Sequence, residues 1–315
     1  MYAVTIAAQP HRSLALSELP EPAPIPGFVR VHVGAISLNH GEVHSALHDD
    51  EPGSIPGHDF AGTVVSAPPE TGFSAGQRVA GLLPSGAWAE IIHVPPFMLQ
   101  AIPDGVSLEH AAALPIAGMS ARVALDKGGE LKGKRVLVTG ATGGVGLMAV
   151  QLAALDGAHV TALVRNAAHK ALLTRLGASH VALSSEEVAT LARFDVVIDN
   201  VGGDVLGHVL MRLASGGVCV LVGNAGGDVT RFDATRFRLA DGGTFGGTTL
   251  YGFFLGHELQ TVMPGPVLAN LLHLVAEGRL DPVIGAQAPW SEIDTVARRL
   301  LARDFIGKSV LTLYG

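Results

Sequence analysis

The sequence predicts an α/β protein whose second part is a doubly wound parallel sheet, and three observations carry that expectation. The stretch RVLVTGATGGVG at 135–146 reads as a buried strand, a glycine turn and the opening of a helix. From Arg135 onward short apolar strands alternate with helical stretches, which is the pattern of a parallel sheet covered on both faces. Ahead of it, residues 1 to about 115 hold short strands separated by proline and glycine turns.

In chain order, the strands expected in the first part are 14–19, 28–36, 62–67 and 87–94. Within the second of these, Val29, Val31 and Val33 alternate with Arg30, His32 and Gly34, as a half-exposed strand requires. Only 39–47 looks helical there. From Leu108 the composition becomes alanine-rich and helix-like until Gly128 and Gly129 break it, which marks the crossing into a second domain. Then follow a strand from Arg135, a helix carrying Val145, Met148, Leu152 and Leu155, a strand at 159–164, a helix at 167–176, a strand at 195–198, a helix at 205–213 and a strand at 218–222. After Thr248 the order weakens into helices at 267–277 and 292–302 and a closing strand at 309–313.

The bulk properties narrow the function. A chain of 315 residues has room for two cores. With 48% hydrophobic and 16% charged residues it reads as an ordinary globular protein. A net charge of −7 without a basic run argues against nucleic acid or an anionic membrane as partner. The single cysteine, Cys219, lies among Val218, Val220 and Leu221, so a buried structural thiol is expected and a thiolate metal site is excluded. No apolar run is long enough for a membrane span and the N-terminus lacks a leader pattern, so the expectation is a soluble, cytoplasmic protein.

The chemistry starts at the glycine turn. Thr139, Gly140, Ala141, Thr142, Gly143, Gly144, Val145 and Gly146 lie between a strand and a helix, the context in which a dinucleotide pyrophosphate meets backbone N–H groups and the positive end of a helix dipole. Ala141 stands where the first glycine of the fingerprint usually is. About twenty residues on, where an acid would bind the adenosine ribose, the second strand ends in Arg165, with Lys170 on the next helix. A guanidinium pairs with a 2′-phosphate that a carboxylate would repel, so NADPH is expected over NADH; the alternative is a solvated arginine after a strand.

Seven motifs occur in one order: PGHDFAG at 56–62, GQRVAG at 76–81, GAWAE at 86–90, AAALPIAGMSA at 111–121, VTGATGGVG at 138–146, DNVGG at 199–203 and GKSVL at 307–311. In these the chain resembles the medium-chain dehydrogenase/reductase superfamily, and within it the zinc-free quinone oxidoreductase and enoyl reductase branch. The resemblance implies a Rossmann domain, 119–253, inserted into a GroES-like β-barrel catalytic domain formed by 1–118 and 254–315, with the active site in the cleft between them. It further implies that Asn39 contacts the nicotinamide ribose or a substrate oxygen, that Ser120 lies on the nicotinamide side, and that Asn200 and Gly223 follow the ribose and pyrophosphate. Lys308 would approach the pyrophosphate, or else be a surface charge after a turn. Tyr251 is a candidate proton donor, or an aromatic packed at the domain junction. The family's tyrosine after the first helix has no clear match, which leaves His48 as the nearest titratable group.

Zinc alcohol dehydrogenases of the superfamily bind their catalytic metal through Cys, His and a second Cys or an acid, whereas this chain offers Asn39, His58 and Ile116, with no cysteine-rich loop between Gly86 and Pro103. No metal is expected. His40, His44 and His48 recur every four residues and share one face of the expected helix; three imidazoles without an acid partner read as an exposed face rather than a catalytic cluster. The substrate pocket is expected from 39–48, Ile116 and LYGFFL at 250–255, whose Phe253 and Phe254 suit a small hydrophobic or aromatic substrate or a dimer contact. The segment 242–249 is an edge-strand candidate for a homodimer. The expected function is therefore an NADPH-dependent, metal-free oxidoreductase that passes hydride to a quinone or an activated alkene. Zinc-type alcohol oxidation and a non-catalytic NADPH-binding protein are the alternatives.

Overall fold

The computed structural model describes residues 1–8, 11–239 and 246–313. The chain divides into two compact units, one formed by residues 1–119 and 261–315 and the other by 120–260. In the first unit β1 (Tyr2–Ala7) and β2 (Ser13–Glu18) form an antiparallel pair. Next come β3 (Val29–Leu38), α1 (His40–His48), β4 (Asp59–Ser66), β5 (Arg78–Leu82), β6 (Ile91–Val94) and β7 (Leu99–Ala101), then the short α2 (Leu108–Ala112). Pro115 splits the helical stretch expected from Leu108, so α3 (Pro115–Asp126) is a separate helix that carries the chain from the first unit into the second.

The second unit contains β8 (Arg135–Thr139), α4 (Gly144–Leu155), β9 (His159–Leu163), α5 (Lys170–Arg175), β10 (His180–Ala182), α6 (Ser185–Thr190), β11 (Phe194–Asp199), α7 (Gly203–Leu210), β12 (Leu213–Leu221), α8 (Ala234–Arg238), β13 (Thr249–Gly252) and α9 (Leu255–Glu258). All its strand pairs are parallel and their spatial order is β10-β9-β8-β11-β12-β13. Counted from β8, that is the order 3-2-1-4-5-6, so strand order reverses between β8 and β11 and a ligand crevice is expected beyond their carboxyl ends. Buried Leu137, Val197 and Cys219, on three neighbouring strands, form the core with Leu206 and Val209 of α7.

The chain returns to the first unit with α10 (Pro264–Ala276), β14 (Ile284–Pro289), α11 (Ile293–Ala302) and β15 (Lys308–Thr312). There β15 pairs antiparallel with β3, and the path β14-β15-β3-β4-β5-β7, with β6 on β3, completes a seven-stranded sheet. The alternation read from Val29, Val31 and Val33 holds only for the first half of β3; from Ala35 to Leu38 every residue is buried. Ser37 is therefore a polar residue in a covered strand and needs an internal partner. The edge-strand expectation for 242–249 falls partly on 242–245, which lie outside the described residues; among the described residues the edges of this sheet are β13 and β10. Among the described residues no helix is long and apolar enough to cross a membrane.

Candidate functional site

In the second unit β8 and β11 are tied at the switch point. Asp199, fully buried at the end of β11, accepts the Thr139 hydroxyl at 2.6 Å and the Gly202 N–H at 2.7 Å. Asn200 donates its backbone N–H to the Thr139 hydroxyl at 3.0 Å and its side-chain amide to the Thr139 carbonyl at 2.8 Å. Burial raises the Asp199 carboxyl above its ordinary range, opposed by the donors from Thr139, Gly202 and Val201. The Thr139 hydroxyl and the Asn200 amide, both expected to serve the cofactor, are thus spent on holding the two strand ends together. Gly223 takes part in the same strap, its N–H donating to the Asp199 carbonyl at 3.2 Å.

The glycine loop divides its labour differently from the sequence expectation, which gave Gly143, Gly144 and Gly146 one role. The left-handed residue is Gly140, at φ 57°. Gly146 is required by a contact within the protein, because a Cβ there would come 2.3 Å from the Gly140 carbonyl oxygen. Gly143 is the exposed N-cap of α4, followed by half-buried Gly144 and Val145, and the first-turn N–H groups of such a helix have no intrahelical acceptor. Ala141 is buried and Thr142 half-buried beside them. An anion fits this opening: the Gly143 N–H is taken by the Gly140 carbonyl at 3.0 Å, but the N–H groups of the first turn of α4 have no intrahelical acceptor, and no Cβ stands on Gly143 or Gly144. Arg165 follows β9 and is exposed, with Lys170 exposed at the start of α5. Ser120 is buried in α3.

The first unit holds a second constellation, which the sequence did not disclose. Asp59, fully buried at the start of β4, accepts at Oδ2 from the Ser37 hydroxyl (2.8 Å), the Asn39 amide (2.8 Å) and the Lys308 ammonium (3.3 Å), and at Oδ1 from the Ile116 N–H (2.8 Å). Lys308 is 2% exposed and also donates to the Leu38 carbonyl at 3.1 Å and to Asn39 Oδ1. Its three N–H donors are all engaged inside the sheet. It is therefore neither a surface charge nor, in this arrangement, a ligand for a pyrophosphate. Asn39, the N-cap of α1, has both ends of its amide committed, to Lys308 and to Asp59 and Glu42.

Glu42, one turn into α1, accepts the Asn39 N–H at 2.7 Å and the His58 N–H at 2.9 Å, and lies 3.7 Å from His58 Nε2. Burial first, and Asp59 as well, push its carboxyl up to about 7 against the opposing charges of His58 and Lys308. The His58 ring is held on its other side by the Leu83 carbonyl at 3.0 Å. A zinc ion does not fit the positions that would bind it. Asn39 and Ile116 turn N–H donors toward Asp59, and the Lys308 ammonium already supplies the cation. Among the described residues no three His, Cys, Asp or Glu side chains are placed to hold a metal together.

Of the two expected proton donors, Tyr251 is committed to another group and His48 is an exposed residue at the end of its helix. The Tyr251 hydroxyl donates to Glu258 at 2.6 Å and its ring lies under the Lys127 ammonium at 4.5 Å. Tyr251 lines a pocket of about 430 Å³ with Lys134, Asp195, Val218 and Thr249; Lys134 precedes β8, Asp195 is the second residue of β11, Thr249 opens β13 and Val218 is where β12 first pairs with it, so this is the amino end of the sheet, opposite the glycine loop. His48 is exposed at the last position of α1 and bonds the carbonyl of His44, in its own helix, at 2.8 Å. Of the LYGFFL segment, Phe253 is buried while Phe254 is 73% exposed.

A sheet of order 3-2-1-4-5-6 with a glycine loop and helix N-terminus at its switch point defines a dinucleotide-binding unit. The family model described as "Alcohol dehydrogenase GroES-like domain" matches residues 25–104, and that described as "Zinc-binding dehydrogenase" matches 144–272. The mitochondrial NAD(P)H oxidoreductase RTN4IP1 of Mus musculus is 31% identical over 92% of this chain and 78% of its own length. Quinone oxidoreductase-like protein 2 of Bos taurus is 30% identical over 99% of this chain and 93% of its own. The quinone oxidoreductase from Thermus thermophilus, solved also with NADPH, superposes with a TM-score of 0.85 at 30% identity over 99% of this chain and 100% of its own. The chain belongs to the medium-chain dehydrogenase/reductase superfamily, in its quinone oxidoreductase-like branch, and is an oxidoreductase working with a nicotinamide cofactor.

Proposed function

We propose that the protein reduces a quinone or an activated alkene at the expense of NADPH. The observation that carries this reading is Arg165: an exposed guanidinium follows β9, at the position where an NAD-selective domain carries a carboxylate, and Lys170 adds a second cation close by. NADPH bound here supplies a hydride. In this reading Gly143, Gly144 and the first turn of α4 hold the pyrophosphate, Arg165 and Lys170 pair with the 2′-phosphate, and the Thr139–Asp199 strap keeps the two strand ends at fixed separation. A fixed pyrophosphate orients whatever is attached to it, which is the larger part of catalysis where no metal polarises the acceptor. With the Tyr251 hydroxyl committed to Glu258 and His48 exposed at the end of α1, the proton that completes the reduction comes from solvent.

The relatives support the acceptor class: two are named quinone oxidoreductase or quinone oxidoreductase-like, and one of these was solved with NADPH. The substrate is small and hydrophobic or aromatic. Two copies associate through the open edge of β13, beside exposed Leu250 and Phe254; a monomer at micromolar concentration in sedimentation would exclude that assembly.

The test is Arg165→Asp, assayed with NADPH and NADH against quinones, enones and enoyl thioesters. The ratio of kcat/KM for the two cofactors should fall by about tenfold or more, since a charge-assisted pair contributes about 1.5–3 kcal/mol. An unchanged ratio removes NADPH selectivity from Arg165. NADPH binding without oxidation by any acceptor would make the protein a binder rather than an enzyme of this specificity.

A further inference from the structure

Three imidazoles stand along one exposed face of α1, outside the polar network that the same helix buries. His44 and His48 have ring centroids 4.4 Å apart with planes 24° from parallel, whereas His40 and His44 are 6.5 Å apart. His48 bonds the His44 carbonyl through Nδ1 at 2.8 Å. An Nδ1–H held by a carbonyl fixes the tautomer and leaves Nε2 with a free lone pair, which is the arrangement metal-bound histidines adopt. The helix repeat places residues four apart on one side, so two such imidazoles converge from consecutive turns.

We propose that His44 and His48 form a two-imidazole chelate on the surface of α1 that takes up one divalent transition-metal ion of the Cu²⁺, Ni²⁺, Zn²⁺ class. Metal–nitrogen bonds of about 2.0–2.1 Å put the two donor nitrogens about 3 Å apart. The rings are stacked in this arrangement, so coordination requires them to turn about their side-chain torsions until both planes pass through the ion, a movement open to two exposed imidazoles on one helix face without displacement of the backbone. The 40–44 end is the poorer half. Its rings are further apart, and Arg303 acts on His40 as a neighbouring positive charge, which opposes a cation there. Since no three ligating side chains converge among the described residues, water completes the coordination. Imidazole donors select borderline metals over the hard, oxygen-seeking Mg²⁺ and Ca²⁺. The chelate would join two turns of the helix whose first turn presents Asn39 and Glu42, so metal binding stabilises the element that carries the buried network.

The experiment uses the full chain without an affinity tag. Ni²⁺ and Cu²⁺, with Mg²⁺ as control, are titrated calorimetrically into the wild type and into His48→Ala, His44→Gln and His40→Ala. Expected are one ion per chain in the order Cu²⁺ above Ni²⁺ and none for Mg²⁺, with a loss of about 10- to 100-fold in affinity for either of the first two variants and wild-type affinity for the third. The second readout is thermal unfolding by tryptophan fluorescence, in which Ni²⁺ should raise the midpoint of the wild type and not that of His48→Ala. Alanine at an exposed helix position favours the helix, so folding of that variant is not the limiting issue. Equal affinity in the wild type and His48→Ala, equal loss in His40→Ala, or no uptake of Ni²⁺ would each overturn the proposal.

Discussion

Replacing Glu42 by glutamine separates the cost of a buried charge from the contribution of its hydrogen bonds. The Glu42 carboxyl goes from an ordinary 4.5 to about 7 in the folded protein, chiefly because burial penalises the anion. A carboxyl whose folded pKa is raised binds its proton more tightly in the native state. Stability is therefore fullest below about pH 4.5 and is lost as pH rises through about 7. At about 1.4 kcal/mol per unit the whole excursion is about 3 kcal/mol, of which about 2 kcal/mol falls between about pH 5.5 and about pH 8.5. Glutamine has no such term. It can accept from Asn39 but turns an N–H₂ toward the His58 N–H, or the reverse, so one donor is left unpaired at a cost of about 1–3 kcal/mol at every pH.

The expected result is thus a lower but flatter curve for Glu42→Gln, converging on the wild type as the pH rises. The chain contains two tryptophans, Trp88 and Trp290, and both belong to the first unit, as does Glu42. Urea unfolding followed by tryptophan fluorescence therefore reports the relevant unit rather than an average over both. Groups that do not touch Glu42 are common to both proteins and cancel in the difference. Parallel stability curves for wild type and variant between about pH 5.5 and about pH 8.5 would refute the reasoning, since they would mean that Glu42 ionises at the same pH folded and unfolded.

Lys308→Met leaves Asp59 with its anion buried and uncompensated, and should cost about 3–5 kcal/mol in the tryptophan-detected transition; a near-neutral effect would show that Ser37, Asn39 and Ile116 alone satisfy the carboxylate. Gly146→Ala brings a Cβ against the Gly140 carbonyl and Ala141 Cα, both backbone, so it should lower stability by about 1–3 kcal/mol and weaken NADPH binding measured by fluorescence titration. Unchanged NADPH affinity would mean that the loop has no part in holding the cofactor. Cys219 is fully buried, and burial together with Asp199 pushes its thiol well above the ordinary range, so a thiol reagent should label it only as the second unit opens. Labelling of the native protein at the rate of a free thiol would contradict that packing.

What was legible in the sequence is what short-range patterns encode. The strand, loop and helix at 135–155 were readable because apolar period and glycine spacing are local, and they place the switch point of the second unit correctly. The β1 strand was missed because its Tyr2–Ala7 run is buried continuously from Ala3 to Ile6 and shows no alternation, while β10 has three residues and falls below what periodicity can detect. The Asp59 network was illegible for a different reason. Its members come from β3, the start of α1, β4, α3 and β15, and Lys308 meets its three partners across separations of 249 to 270 residues.

Only sheet register brings them together: Ser37 opposes both Asp59 on β4 and Val310 on β15, so the start of β15 delivers Lys308 to the same point. One signal was available. A lysine opening an otherwise uncharged strand, and an aspartate opening another, are charges in places that burial will claim, and buried charges are found paired. Reading Lys308 as a surface or phosphate-binding residue assumed that a lysine seeks water or a ligand. The pairing with Asp59 shows a third outcome, in which two strands cover both charges and each becomes the other's solvation. That also explains why Asn39, at the first cysteine position of the zinc enzymes, carries an amide here: a side chain wedged between a cation and two carboxylates must accept at one end and donate at the other.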